Sequence, residues 1–561
     1  MTERFTHSAG YQSTKMIVED DEFAAVVEGR IRIRIGACAF LFMMMIIVLR
    51  LAETSLFGDR PQQAVLPQAI TTTRADITDR NGEILATTLQ TYSLYAEPRK
   101  VWNIAETTDK LVAVLPSLER DFVARILSSE RAFQWLARGL TPKERQAVFD
   151  LGLPGLAFRQ EPKRVYPRGS LASHVIGFSD TDMNGVAGAE RAFDAGLSEA
   201  KAPPTVLSLD MRAQYAIADT LQKDMELFQA KTASSVLLDM KTGEIIAMVS
   251  LPDFDPNVPG ATSPSTRYNH AAMSTYELGS VFKPITAALA LETGTTQLDE
   301  TLPVHKPFKV SIKSIKDDHP SKVPLAMAGI LAESSNRGTA MMAMRAGGQS
   351  QQELLRSLGL MERVPYELKE SAKPQVQTRW QDLTTTTVSY GHGISVTPLA
   401  LTVATGAMLN GGEYVEPTIL RRDAANPIKA RRVLSEQTSQ TLADLMRYVV
   451  TNGTGKNARA AGYGVMGKTG TADKPAVGGY DERRLVTSFI SAFPHNDPRY
   501  VMLVTYDEPQ ALPTDWGYAT AGWNAAKTTK KIVMRIGPIL GIKRTKPSLA
   551  QSEFNVSGTL P

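Results

Sequence analysis

Near the start of the chain fifteen residues run without a charge, IGACAFLFMMMIIVL from Ile35 to Leu49. A bilayer core asks roughly 20 residues of a helix, so a buried soluble helix or a signal-peptide core would also use such a run. Ile31, Ile33 and Leu51 extend its apolar face, and Arg34 and Arg50 can snorkel from its ends. No small-residue cleavage site follows, because Ala37-Cys38-Ala39 falls mid-run. The expectation is an uncleaved single transmembrane helix over residues 35–54. Arg30, Arg32 and Arg34 precede it, against Arg50 and Arg60 after it. The positive-inside rule then leaves residues 1–34 as a cytoplasmic tail and puts everything from residue 55 onward outside.

A chain of 561 residues exceeds one ordinary core, so two or more domains are expected. With 43% hydrophobic and 21% charged residues it is neither disordered nor a multi-span membrane protein. A net charge of +4 without a dense basic run argues against a nucleic-acid partner. Cys38 is the one cysteine, so the exported part has neither disulfides nor thiol chemistry. The histidines, at 7, 174, 270, 305, 319, 392 and 495, show no metal-ligand spacing. No metal and no cofactor are expected.

GDRPQQAVLPQAI reads as an extended linker. TTRADITDRNGEILATTLQTYSLYAEP alternates about a hairpin turned at Asn81-Gly82. Residues 104–150 carry helical periodicity, and mixed structure follows, so residues 55–204 form one α+β region that closes at Lys201-Ala-Pro-Pro204. TVLSLD predicts a strand and MRAQYAIADTLQKDMEL a long amphipathic helix. ASSVLLDMKTGEIIAMVS predicts two strands about Lys241-Thr242-Gly243. Helices and short strands alternate to residue 542, and the polar residues 543–561 predict a disordered tail.

In YELGSVFKPITAALALE, Ser280 stands three residues before Lys283 at the mouth of an apolar helix. A serine hydroxyl is a weak nucleophile and needs a base beside it. Residues i and i+3 share a helix face, so the amine comes within reach of the hydroxyl. Gly279 permits a tight turn, and the helix N-terminus supplies N–H groups and partial positive charge that stabilise an oxyanion. The lysine must be neutral to accept a proton, which a second cation nearby would favour. The spacing alone is commonplace. An N-cap with a surface lysine gives the same letters, and Ser198-Glu-Ala-Lys201 reads as a solvated helix end. Order and company change this. Ser334 stands 54 positions after Ser280, in Ser334-Ser335-Asn336, and Lys468 stands 134 positions after Ser334, in Lys468-Thr469-Gly470-Thr471. Lys241-Thr242-Gly243 precedes the serine and lies between strands, so it is assigned to a structural turn.

Ser-x-x-Lys, Ser-x-Asn and Lys-Thr-Gly in that order are shared by class A β-lactamases and penicillin-binding proteins. The chain resembles a class B penicillin-binding protein, a membrane-anchored D,D-transpeptidase of cell-wall synthesis. RADITDRNGEILA, GVAGAE, TVLSLD and LLDMKTGEIIAMVSLPDFDPN add to the resemblance. YGHGISVTPLALTVATGAMLNGG is closer to the division-specific (septal) subgroup than to the elongation subgroup. The resemblance implies a multidomain α+β protein. A single N-terminal transmembrane helix (35–54) would lead to an elongated α+β pedestal of the dimerisation type (55–204). A transpeptidase domain (205–542), an antiparallel sheet flanked by helices, would follow. Three departures stand out. Leu278 replaces the usual proline. Ala187 sits where a glutamate is common, which puts a pedestal ion pair in question. His392 replaces a tyrosine, and packing in its glycine turn is expected of it rather than catalysis.

The resemblance implies acyl transfer from the D-Ala–D-Ala end of a peptidoglycan stem peptide, with Ser280 as nucleophile and Lys283 as general base. Ser334 would relay a proton to the leaving group, and Lys468 would supply charge near it. Asn336 would hold the substrate amide and help orient Lys283. Thr469 and Thr471 would bind the terminal carboxylate, with Gly470 keeping the strand edge open, and the N–H groups of Ser280 and Thr471 would form the oxyanion hole. β-Lactam antibiotics would acylate Ser280. The catalytic domain would be periplasmic, on the inner (cytoplasmic) membrane. The pedestal would be a rigid spacer or a platform for a membrane-embedded SEDS-type glycan polymerase and other divisome proteins. Residues 473–484 would gate the site or merely connect strands. An elongation-specific transpeptidase, a β-lactamase or β-lactam sensor, a carboxypeptidase, and a divisome scaffold are the rival readings.

Overall fold

The computed structural model describes residues 30–31, 34–49, 74–424, 426–476 and 479–545. Residues 1–71 and 72–561 form separate units. In the first, residues 34–49 are helical and exposed. Residues 50–54 of the expected span lie outside the described residues, as do most of the 1–34 tail, the linker and residues 546–561. Among the described residues no helix is long and apolar enough to cross a membrane.

The second unit begins with a sheet of β1 (Ile77–Thr78), β2 (Ile84–Ala96), β3 (Gln134–Leu140) and β4 (Leu156–Val165). β2 pairs antiparallel with each of the others. The β1–β2 turn is built by Asp79, whose Oδ1 accepts from the N–H groups of Asn81 (2.7 Å) and Glu83 (2.9 Å). Gly82 takes the left-handed position there, at φ 86°. Helices α1 (Ile104–Val114), α2 (Arg120–Leu127) and α3 (Pro142–Asp150) close over the sheet. Leu94, Leu111, Val123, Leu136 and Val148 form their common core. β3 thus interrupts the segment read as helical. Its partner is β2, far back in the chain, and local periodicity carries no trace of that pairing.

Behind this sheet Arg74 and Arg164 both reach Glu190, at 2.6 and 2.7 Å, with all three side chains buried. Asp194 takes a second nitrogen of Arg74 at 2.7 Å. The pedestal ion pair therefore stands on Glu190, and Ala187 does not remove it.

β5 (Thr205–Val206) pairs in parallel with β1, and Leu207 bridges to Leu420, so TVLSLD is a shorter strand than expected. One core runs across this passage: Ile77, Leu85 and Tyr166 share it with Leu238, Leu278 and Leu331. The line near residue 204 is a change of sheet without a gap in packing.

The C-terminal half is built on α4 (Met211–Leu227), β6 (Thr232–Asp239), β7 (Glu244–Leu251), α5 (Lys283–Glu292), α6 (Asn336–Ala346), α7 (Pro398–Leu409), α8 (Glu436–Asn452), β8 (Met466–Ala476), β9 (Gly479–Phe493), β10 (Tyr500–Asp507) and α9 (Ala525–Ile539). The sheet order is β8-β9-β10-β6-β7, antiparallel throughout. Alternate residues of β10 face opposite ways, as a strand requires. Val501 and Leu503 enter the core of α5 and α7, while Met502, Val504 and Tyr506 enter that of α4 and α9. The sheet is therefore covered on both faces, and β8 is an edge strand. Lys241-Thr242-Gly243 is the tight β6–β7 turn, with Gly243 at φ 74°. Residues 543–545 remain tied to the domain, since Thr545 donates to Gly462 O at 2.9 Å and Arg544 Nε to Tyr463 Oη at 3.1 Å.

Candidate active site

A 3₁₀ turn, Gly279–Phe282, runs directly into α5. Pro284 stands in the first helical turn, where a missing N–H costs nothing. Ser280 is half-buried at this junction and Lys283 is wholly buried. Lys283 Nζ donates to the carbonyl of Ser334 and, at 3.0 Å, to its Oγ. Burial pushes the Lys283 amine down to about 7, against the opposing pull of Asp317 and Asp318. An amine of that basicity exchanges protons near neutral pH.

Ser334 links the helix Met327–Ala332 to α6 in a left-handed conformation, φ 61°. A non-glycine residue holds that geometry only where its surroundings impose it. Asp317 holds the residues that follow Ser334, accepting from Ser335 Oγ (2.8 Å) and from the Arg337 N–H (2.9 Å). Ser334 Oγ receives Lys283 Nζ at 3.0 Å and Lys468 Nζ at 2.9 Å. Lys468 is also fully buried, and burial, then the neighbouring Lys283 charge, holds its amine well below the usual lysine range. Two buried amines either side of one hydroxyl form a short path for a proton. Asn336 is the first residue of α6, and its Nδ2 donates to Lys316 O at 3.0 Å. The expected contact with Lys283 is not made.

Edge strand β8 passes the Ser280 turn at van der Waals range. A Cβ on Gly470 would lie 2.3 Å from Leu278 O, and one on Gly279 would lie 2.7 Å from Thr471 O. Gly279, at φ 62°, also needs the left-handed region. Thr471 O faces the turn, and in an extended strand the N–H and C=O of one residue point to the same side. The Thr471 N–H is therefore directed toward the same edge as Ser280, where an oxyanion donor would stand. Thr469 Oγ1 shares a hydrogen bond with Thr454 Oγ1 at 2.8 Å, and Thr471 Oγ1 accepts from the Ala521 N–H at 3.1 Å.

Sequence reasoning missed Asp317, Thr454 and Ala521. Asp317-Asp318 falls in a polar loop, Thr454 follows an Asn-Gly turn, and Ala521 touches the site through its backbone alone, so none carries a motif. His392 packs between Tyr390 and Tyr480, with ring centroids 5.4 and 5.8 Å away. Burial lowers its pKa against the nearby Glu277 carboxylate, which suits a neutral packing ring. Residues 473–476 and 479–484 continue the β8–β9 ribbon with a register shift at Asp473/Lys474. Lys474 ties the ribbon's base to Asp507 (2.7 Å) and Glu508 (3.0 Å), and Arg484 reaches Glu508 at 2.8 Å. Residues 477–478 lie outside the described residues.

A family model for the penicillin binding protein transpeptidase domain matches residues 233–533, and one for the penicillin-binding protein dimerisation domain matches residues 69–184. The chain is 39% identical to a probable peptidoglycan D,D-transpeptidase FtsI of Caulobacter vibrioides, over 92% of this chain and 89% of that one. It is 33% identical to a probable peptidoglycan D,D-transpeptidase PenA of Neisseria gonorrhoeae, over 93% and 94%. The peptidoglycan D,D-transpeptidase FtsI of Escherichia coli is 28% identical, over 85% and 86%. Among solved structures, penicillin binding protein 3 of Mycobacterium tuberculosis complexed with aztreonam superposes with a TM-score of 0.67 at 26% identity, covering 87% of this chain and 99% of that one.

Proposed function

Because the chain belongs to the penicillin-binding protein transpeptidase family, we propose that it cross-links peptidoglycan stem peptides at the division septum through a serine acyl-enzyme. One observation carries the reading: Ser334 Oγ is shared by the buried amines of Lys283 and Lys468, beside the Ser280 turn and an open strand edge.

The stem peptide adds along β8 as an extra strand, its terminal carboxylate taken by the hydroxyls of Thr469 and Thr471. Ser280 Oγ attacks the penultimate D-Ala carbonyl and gives its proton to Lys283. The N–H groups of Ser280 and Thr471 receive the oxyanion. Collapse breaks the C–N bond, and Ser334 passes a proton to the departing D-alanine while Lys468 steadies the charge. An amine from a neighbouring stem peptide then attacks the ester and loses a proton to Lys283, which returns it to Ser280 Oγ as the C–O ester bond breaks and the cross-link forms. Asn336 holds the substrate amide. A β-lactam takes the place of the D-Ala–D-Ala end, in keeping with the aztreonam complex of the Mycobacterium tuberculosis relative.

The apolar run from Ile35, flanked by Arg34 and Arg50, supports a single-span anchor with the catalytic part periplasmic. The pedestal then offers a surface to a SEDS-type glycan polymerase and other division proteins. The resemblance of residues 390–412 to septal relatives favours division over elongation.

The full chain in detergent, given pentapeptide-bearing glycan strands, should release one D-alanine per cross-linked dimer. Release without dimers would identify a carboxypeptidase. A fluorescent fusion should gather at midcell, and a signal along the side wall would identify the elongation enzyme.

A further inference from the structure

Glu277 stands three residues before Ser280, and the acyl transfer above gives it no part. The chain around it is laid along residues 389–396. Tyr276 and Val396 exchange their N–H and C=O groups at 3.0 Å each way, and the Gly279 N–H reaches Gly391 O at 3.3 Å. Thr286 Oγ1 on α5 donates to Ser389 O at 2.8 Å. A Cβ on Gly391 would lie 2.1 Å from Gly279 O, so the two turns meet backbone to backbone. Glu277 adds a side-chain tie between them: its Oε1 accepts from the Gly393 N–H at 2.9 Å. A shift in this contact moves the Ser280 hydroxyl against Lys283, and acyl transfer depends steeply on that alignment.

The carboxylate is only half used. Glu277 Oε2 is buried and closes no hydrogen bond. The Tyr480 phenol faces the carboxylate without closing one, and burial, then the Glu277 charge, pushes that phenol up. Nδ1 of His392, the residue before Gly393, is likewise buried and closes none. A buried acceptor without a donor is costly. A neutral imidazole carries one N–H and its cation two. A proton on His392 therefore supplies a charged donor near an unused carboxylate oxygen. Both partners of that contact carry charge, whereas only one does in the contact with Gly393.

The groups around the ring decide when the proton arrives. Tyr390 and Tyr480 flank it, Glu277 faces it from the Ser280 turn, Asp473 from β8 and Lys283 from α5. Burial outweighs the pull of Glu277, of the Tyr390 carbonyl and of Asp473, and the Lys283 charge works with burial. The ring is therefore neutral at pH 7 and takes its proton below the ordinary imidazole value.

We propose that Glu277 is a positioning residue for Ser280, and that a proton on His392 draws its carboxylate from Gly393 and slows acylation. The effect on rate rests on the transpeptidase reading, whereas the Glu277–Gly393 tie rests on the geometry alone. Benzylpenicillin acylation of the full chain in detergent is followed by stopped flow from pH 4.5 to 9, each protein scaled to its own rate at pH 8. Protonation of Lys283 alone gives a fall of about tenfold per pH step below about 7. The wild type should steepen at the acid end toward about a hundredfold per step, because two protons then act. His392→Phe keeps a ring without a proton site, and Glu277→Gln keeps an acceptor for Gly393 without the charge. Neither should steepen. At pH 8 Glu277→Gln should acylate within about threefold of the wild type, and Glu277→Ala, which offers Gly393 no acceptor, about tenfold or more slower. A wild type that never steepens, a steepening kept in His392→Phe, or Glu277→Ala acylating like Glu277→Gln would each overturn the proposal. Hydrogen exchange in the peptide that carries Gly393, corrected for the intrinsic effect of pH, reads the tie without any acylation. Its protection should drop on acidification in the wild type and hold in His392→Phe. If benzylpenicillin fails to acylate at pH 8, the transpeptidase reading falls and exchange decides alone, where an equal loss in both proteins overturns the proposal.

Discussion

Lys283 is the residue on which the proposed chemistry turns. Its amine is fully buried and pushed down to about 7. As a general base it must be neutral, so penicillin acylation should rise with pH through about 7 and level off above. Stopped-flow acylation between pH 5 and 9 checks this, and a flat profile would remove Lys283 from the role. Ser334→Ala would leave the two amines without their shared hydroxyl. It should slow acylation by about 10²-fold or more, the ordinary scale for a lost proton-transfer group, and single-turnover kinetics would show it. At this scale the sequence was informative where chemistry demands fixed spacing. Ser280, Lys283, Ser334 and Lys468 could be picked out by their order and spacing, and the fold brings Lys283, Ser334 and Lys468 into hydrogen-bond contact. The partner of Asn336 could not, because Lys316 O is a backbone atom placed by a loop, and neither could Thr454, which no periodicity marks.

The elements bring these residues within reach by close backbone approach. β8 can pass the Ser280 turn because Gly470 has no Cβ to strike Leu278 O. Gly470→Ala should force the two apart, cost about 1–3 kcal/mol of stability and slow acylation more than that loss explains. Thermal unfolding and acylation measured side by side would separate the two effects, and an unchanged acylation rate would contradict the steric account. Elements whose pattern is carried by neighbouring residues were readable. α4 has its predicted span because its apolar residues repeat at helical spacing, and β6–β7 because two apolar runs flank Lys241-Thr242-Gly243. β3 was hidden: its seven residues gain strand geometry only by pairing with β2. Residues 473–476 and 479–484 are likewise a ribbon held at its base by Lys474 and Arg484, which charge alone does not reveal.

Across the whole second unit, pedestal and catalytic half share a core through Ile77, Tyr166, Leu238 and Leu278. The Glu190 network stiffens the pedestal beside it. Glu190→Gln leaves the buried Arg164 guanidinium without a counter-charge and Arg74 with Asp194 alone, and should cost about 3–5 kcal/mol, read as a lower Tm. A variant melting with the wild type would contradict that role. The sequence indicated a boundary near residue 204, since Pro203 and Pro204 punctuate the chain, but not the continuity of packing across it. That continuity joins residues far apart in sequence, as do the Arg74–Glu190 and Arg164–Glu190 pairs, and only the fold brings them together.

The central claim is that Ser280 is the nucleophile of a slow-releasing acyl-enzyme. The most direct measurement is the intact mass of the full chain after benzylpenicillin, for wild type and for Ser280→Ala. The account predicts a lasting gain of one penicillin mass in the wild type and none in the variant. An adduct that survives in Ser280→Ala, or penicillin consumed by the wild type with no adduct trapped, would contradict it.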